Sequence, residues 1–69
     1  MKFDPTTMER IMKREGLNRS KMAGRLGVSR STVTRLLNGN VQPSVKLLSA
    51  IKQQFPEVSL EYFFREDGA

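Results

Sequence analysis

Sixty-nine residues provide for one small domain and no second core. The chain has no cysteine and no histidine, which excludes disulfides, the usual structural zinc ligands and the acid–base or nucleophilic chemistry those residues carry. Its formal charge of +5 is unevenly placed: from Arg10 to Lys52 ten basic residues face one acid, Glu15, whereas residues 53–69 carry a net charge of −3.

Clustered Lys and Arg release counterions from a phosphate backbone, so the basic segment reads as a polyanion-binding face. A membrane-surface helix fits less well, because the charge is spread over several short helices. No apolar run approaches the length of a membrane span or a signal-peptide core, and the chain is expected to be soluble and cytoplasmic. A chain this short and without disulfides or metal depends on efficient helix packing for its stability.

In chain order, Asp4-Pro5 reads as a helix start: Asp caps free amides, and Pro is preorganised at the first helical position. Phe3 before the cap and Met8 in the first turn are placed for a hydrophobic staple. Met8, Ile11 and Met12 form the apolar stripe of a helix over about 5–15, which Gly16 ends. Asn18 caps a second helix over about 19–26, with Met22, Ala23 and Leu26 facing inward. Gly24 in its interior costs ~1 kcal/mol relative to alanine, and reads either as a site of close approach or as a tolerated weakness.

Gly27 supplies a turn, Val28 packs into the core and Ser29 caps a third helix over about 30–37. Val33, Leu36 and Leu37 form the inner face of that helix, and Arg30, Ser31, Thr34 and Arg35 fall on the other side. Asn38-Gly39-Asn40 stops it. Ser44 caps a fourth helix over about 45–54, with Val45, Leu48 and Ile51 expected inside and Leu47 at the edge. Phe55-Pro56 ends that helix, and Ser59 starts a last one over about 59–64. Nothing reads as a strand. The expected fold is all-α, a compact bundle of five short helices forming a single domain over 1–69.

The third helix breaks a local rule. The positive end of a helix dipole favours Asp or Glu in the first turn, yet this helix opens with Arg30, Ser31 and Thr32 and carries no acid. Such violations are expected where function selects the residue, and an anionic partner, DNA first, is the simplest reason.

Two helices joined by a tight glycine-containing turn, the second presenting polar residues, follow the helix-turn-helix pattern. Small Ala23 lets the helices approach, Gly27 makes the turn and Val33 anchors the second helix to the first. With one helix before the motif, and NGNVQPSVKLLSAI and FPEVSLEYFF after it, residues 6–64 resemble the lambda-repressor-like family of phage repressors, Cro proteins and bacterial relatives. The Gly-Val-Ser start, the Asn-Gly stop and the Pro-Ser opening of the fourth helix carry the resemblance.

The resemblance implies that the third helix lies in the major groove of double-stranded DNA. Arg30, Ser31, Thr34 and Arg35 would then meet base edges. Asn18, Arg19, Thr32, Asn38 and Asn40 would hold the sugar-phosphate backbone, and the amides and side chains around Asn40, Val41 and Gln42 would approach phosphate. Asn18 and Ser29 read first as helix caps. Arginine pairs bidentately with guanine, so a half-site containing at least one G·C pair is expected. Many relatives have Gln where Arg19 and Arg30 stand, so their base preferences do not transfer. Met12 and Leu37 occupy places where some relatives have an Arg–Glu pair, and an apolar contact is expected instead. The headpiece of lac-repressor-type regulators also resembles GVSRSTVTRLLN, but it begins almost directly with the motif, whereas a helix precedes it here.

The function expected is that of a transcriptional regulator, read first as a repressor of bacterial or phage origin, with no cofactor, metal or small-molecule ligand. The carboxylates are scattered, and the hydroxyls between Ser29 and Thr34 have no base partner, so an enzyme is not expected. The alternative is a protein-interaction module, an antitoxin or antirepressor-like adaptor. Tyr62, Phe63 and Phe64 are adjacent and cannot all face one core. Tyr62 and Phe64 are therefore candidates for a weak homodimer contact, which would suit a two-fold symmetric operator.

Overall fold

The first helix forms where Asp4 adopts an extended conformation and its Oδ1 accepts the Thr6 amide at 3.0 Å, with Pro5 in the first turn. This computed structural model describes residues 2–39 and 41–65. Within them the order is β1 (Lys2–Phe3), α1 (Pro5–Glu15), α2 (Arg19–Leu26), α3 (Arg30–Asn38), α4 (Val45–Gln54), a 3-10 helix (Leu60–Phe63) and β2 (Phe64–Arg65). At the end of α1 the Gly16 amide bonds back to Lys13 O and the Leu17 amide to Met12 O, a Schellman arrangement that satisfies terminal carbonyls.

Helices α2 and α3 start and stop as their sequences require. Asn18 Oδ1 accepts the Lys21 amide at 2.8 Å, and Ser29 Oγ accepts the Thr32 amide at 3.2 Å. Between the helices Gly27 sits at φ 70°, a left-handed conformation that a side chain makes costly. Met22, Ala23 and Leu26 of α2 meet Val33 and Leu36 of α3 in the buried core. Met12 is buried in that core and Leu37 is half-buried against it.

Helix α4 departs from expectation in its orientation. Leu47 and Ile51 are buried and Leu48 is half-buried, while Val45 is 80% exposed. Leu47 and Ile51 are four residues apart and share a face, whereas Val45, two residues before Leu47, projects away from it.

The fifth helix and the all-helical reading both need correction. Ser59 makes no side-chain cap bond, and only Leu60–Phe63 coil, as a 3-10 helix. The chain then extends, and β2 pairs antiparallel with β1, Lys2 opposite Arg65 and Phe3 opposite Phe64. Aromatic packing explains the choice. Phe63 is fully buried and stacks on Phe3 (centroids 6.1 Å apart, planes at 12°), while Phe64 meets Phe3 edge-on at 6.0 Å. A continued helix would place Phe63 and Phe64 100° apart and lose one of these contacts. The Asp4 amide donates to Phe63 O at 2.7 Å and the Thr7 hydroxyl to Tyr62 O, tying α1 to the same segment. The loop after α3 joins this end as well: Gln42 Oε1 accepts the Phe3 amide at 3.1 Å.

Candidate nucleic-acid interface

The outer side of α3 collects the four residues expected to meet bases. Arg30, Ser31, Thr34 and Arg35 line one open concavity; Thr34 is half-buried and the other three are exposed. Positions 30, 31, 34 and 35 fall on one helical face, opposite the buried Val33 and Leu36. Burial of those two side chains therefore fixes which way the polar four point.

A second concavity adjoins the first, lined by Asn18, Arg19, Ser20 and Arg30. Arg30 belongs to both, so the start of α2 and the start of α3 form one continuous surface. Ser20 was not singled out in the sequence; its place in the first turn of α2, beside Arg19, is the signal that would have found it.

The charges here are uncompensated. None of the α-helices has an acid in its first turn. Among the described residues, the ion pairs join Arg14 to Glu15 and Glu57, and none involves Arg19, Lys21, Arg30 or Arg35. Two positive helix ends and unpaired guanidinium groups on one surface make a site for a polyanion. Arg25, one of the ten basic residues, is used differently. Its Nε donates to Gln54 Oε1 at 3.1 Å, and its guanidinium lies 5.4 Å from the centre of the Phe55 ring, holding α2 against the end of α4.

The residues expected at the DNA backbone divide. Arg19 and Asn38 are exposed. Asn18 uses its side-chain oxygen as a cap, as expected. Thr32 is half-buried and its hydroxyl lies 3.0 Å from Ser29 Oγ, so both side chains serve the start of α3. Asn40 lies outside the described residues. Gln42 is turned toward Phe3. Gly24 is exposed, and a Cβ built on it meets nothing within 4 Å, so close packing inside the chain does not account for it.

The model of the helix-turn-helix family, of the lambda-repressor/Cro-like type, matches residues 8–63, which contain all of α2, the Gly27 turn and α3. The chain belongs to this family. No curated protein and no solved structure matches it. The lambda-repressor/Cro-like helix-turn-helix family is one of DNA-binding transcription regulators acting on double-stranded DNA, a regulatory rather than a catalytic group. Among the described residues no helix is long and apolar enough to cross a membrane.

Proposed function

We propose that this protein binds a specific double-stranded DNA sequence in the major groove through α3 and acts as a transcriptional repressor in the cytoplasm of a bacterial cell, encoded by the bacterium or a phage. The observation that carries this reading is the concavity formed by Arg30, Ser31, Thr34 and Arg35, with cations that have no ion-pair partner among the described residues, on a helix whose first turn lacks an acid. In it Arg30, Ser31, Thr34 and Arg35 read base edges. Arg19 holds the phosphate backbone, joined by Asn38 and, through its remaining amide donors, Asn18; Asn40 and Thr32 are secondary members of that set. No cofactor or small-molecule ligand is needed.

The operator is two-fold symmetric, and two copies bind it through half-sites one helical turn apart. Tyr62, 64% exposed, is the contact for weak pairing of copies. Phe64 contributes less, because it is half-buried against Phe3.

Selection from random DNA followed by two substitutions tests the proposal. Arg30→Ala should lose discrimination at one base pair, about 5- to 150-fold in affinity for the selected site, the equivalent of ~1–3 kcal/mol for a bidentate arginine–guanine contact. Arg19→Ala should weaken all sequences alike and reduce the salt slope by about one. Binding indifferent to Arg30 and to salt would instead favour the interaction-module reading. That reading has its own support in the groove lined by Thr7, Arg10, Ile11, Arg14, Val58 and exposed Tyr62.

A further inference from the structure

We propose that Gln42 is a positioning residue for DNA binding, its side chain standing in for a third β-strand and pinning the loop after α3 to β1; the functional part of this inference rests on the DNA-binding reading above. The geometry of the strand pair requires such a partner. In an antiparallel ladder, rows of residues that exchange hydrogen bonds alternate with rows that do not. The Asp4 amide donates to Phe63 O, so the Asp4–Phe63 row is bonded and the Phe3–Phe64 row, one step along, is not. The Phe3 amide therefore points away from β2, toward the free edge of β1. Phe3 is 1% exposed, and an amide left there without an acceptor would be buried and unsatisfied.

The acceptor arrives from 39 residues away in sequence: Gln42 Oε1, at 3.1 Å. The loop is preset to deliver it. Gly39 ends α3 in a left-handed conformation at φ 73°, and Pro43 restricts the residue before it, Gln42, to extended backbone. From that backbone the two-methylene arm of Gln reaches the strand edge. Lys2, Phe3, Gly39, Val41 and Gln42 line one concavity, so the strand and the loop face each other where the bond forms.

The loop leaves the far end of α3 and enters α4 at the Ser44 cap. Pinning its middle to β1 sets how closely the loop main chain stands to a duplex lying along α3. Releasing it loosens the hold on the DNA backbone without touching the residues that read bases, so the loss is the same for every sequence.

Three variants of the 69-residue chain separate this role from its rivals. Gln42→Met removes the acceptor at nearly constant length. A synthetic chain with phenyllactic acid in place of Phe3 removes the opposing N–H and leaves Gln42 intact, while also making the Lys2 carbonyl, paired with Arg65, a weaker acceptor. These two are each expected to bind both the selected operator and an unrelated duplex roughly three- to tenfold more weakly, with the salt slope unchanged. Exchange of the Phe3 amide should quicken at least tenfold in Gln42→Met and stay slow in Gln42→Glu, which keeps an acceptor. If Gln42→Met weakens binding and the ester chain does not, Gln42 touches DNA directly and the inference fails. If amide exchange quickens with no change in affinity, the bond is structural only, and the inference again fails. An unaltered protein that binds no duplex at low salt would sink the DNA-binding reading itself, and the positioning role with it.

Discussion

The two ends of this molecule treat charge and aromatic surface in opposite ways. At the end where β1, β2 and the 3-10 helix meet α1, Phe63 and Phe64 both pack on Phe3, and Phe3 and Phe63 are almost wholly buried. Nearby, Arg14 is shared between Glu15 at 3.1 Å and Glu57 at 2.7 Å. On the outer side of α2 and α3, Arg19, Lys21, Arg30 and Arg35 are exposed and, among the described residues, have no acid in ion-pair range. The first end spends its side chains on holding the fold. The second leaves them available to a partner, which is why stability and binding should separate by position.

The sharpest way to break this division is Phe63→Ala. Truncating a fully buried phenylalanine costs ~3–5 kcal/mol, much of what a domain this small possesses, and urea unfolding should show a protein largely unfolded at 25 °C. A double change on the other face, Arg30→Ala with Arg35→Ala, should abolish preference among DNA sequences. Its urea midpoint should move little, since exposed substitutions stay within about 0.5 kcal/mol. A collapse in stability there would show that the basic face also holds the fold.

Gly24→Ala sharpens the contrast in the other direction. The position is exposed in the interior of α2 and open on all sides within the chain, so alanine should raise stability by ~1 kcal/mol in denaturant unfolding. Unchanged DNA affinity in that variant would mark Gly24 as a tolerated weakness, and a drop would mark it as a site of close approach.

The smallest effect concerns pH. Hydrogen bonds from the Thr6 backbone and side chain hold the Asp4 carboxyl below its ordinary value. A backbone hydrogen bond within Glu57, then Arg14, does the same for Glu57. A carboxyl whose pKa is lowered by folding contributes stability above its unfolded value, and that contribution fades as pH falls through the folded one. Thermal unfolding should therefore shift modestly downward below the ordinary carboxylate range, because Glu57 is exposed and Asp4 only half-buried. Asp4→Asn, which keeps a cap acceptor, should show a shallower acid dependence.

What could be read in the sequence was what short-range chemistry determines. Asp4, Asn18, Ser29 and Ser44 each accept an amide two or three residues ahead, a relation visible from residue type and spacing. The inward set of α2 and α3 follows the helical period, and the reading face of α3 is its complement. Less visible was whatever depended on distant residues. Two-residue strands have no period to detect, and the pairing of Phe3 with Phe64 became apparent only when the phenylalanines were placed. The turn of α4 that exposes Val45 depends on where α2 offers a surface, and Gln42 gained its role from an amide 39 residues away. Within the interface, the sequence indicated a group of basic residues but not that Arg25 lies over Phe55 and belongs to the scaffold.

The exposure of Tyr62 also has an optical consequence. The chain has no tryptophan and this one tyrosine, so its intrinsic fluorescence comes almost entirely from a ring on the outside of the molecule. Events within the phenylalanine-lined interior will leave that emission nearly unchanged, whereas anything that covers the ring, such as a second copy, will alter its intensity and anisotropy. The protein thus carries a built-in reporter for association that needs no label.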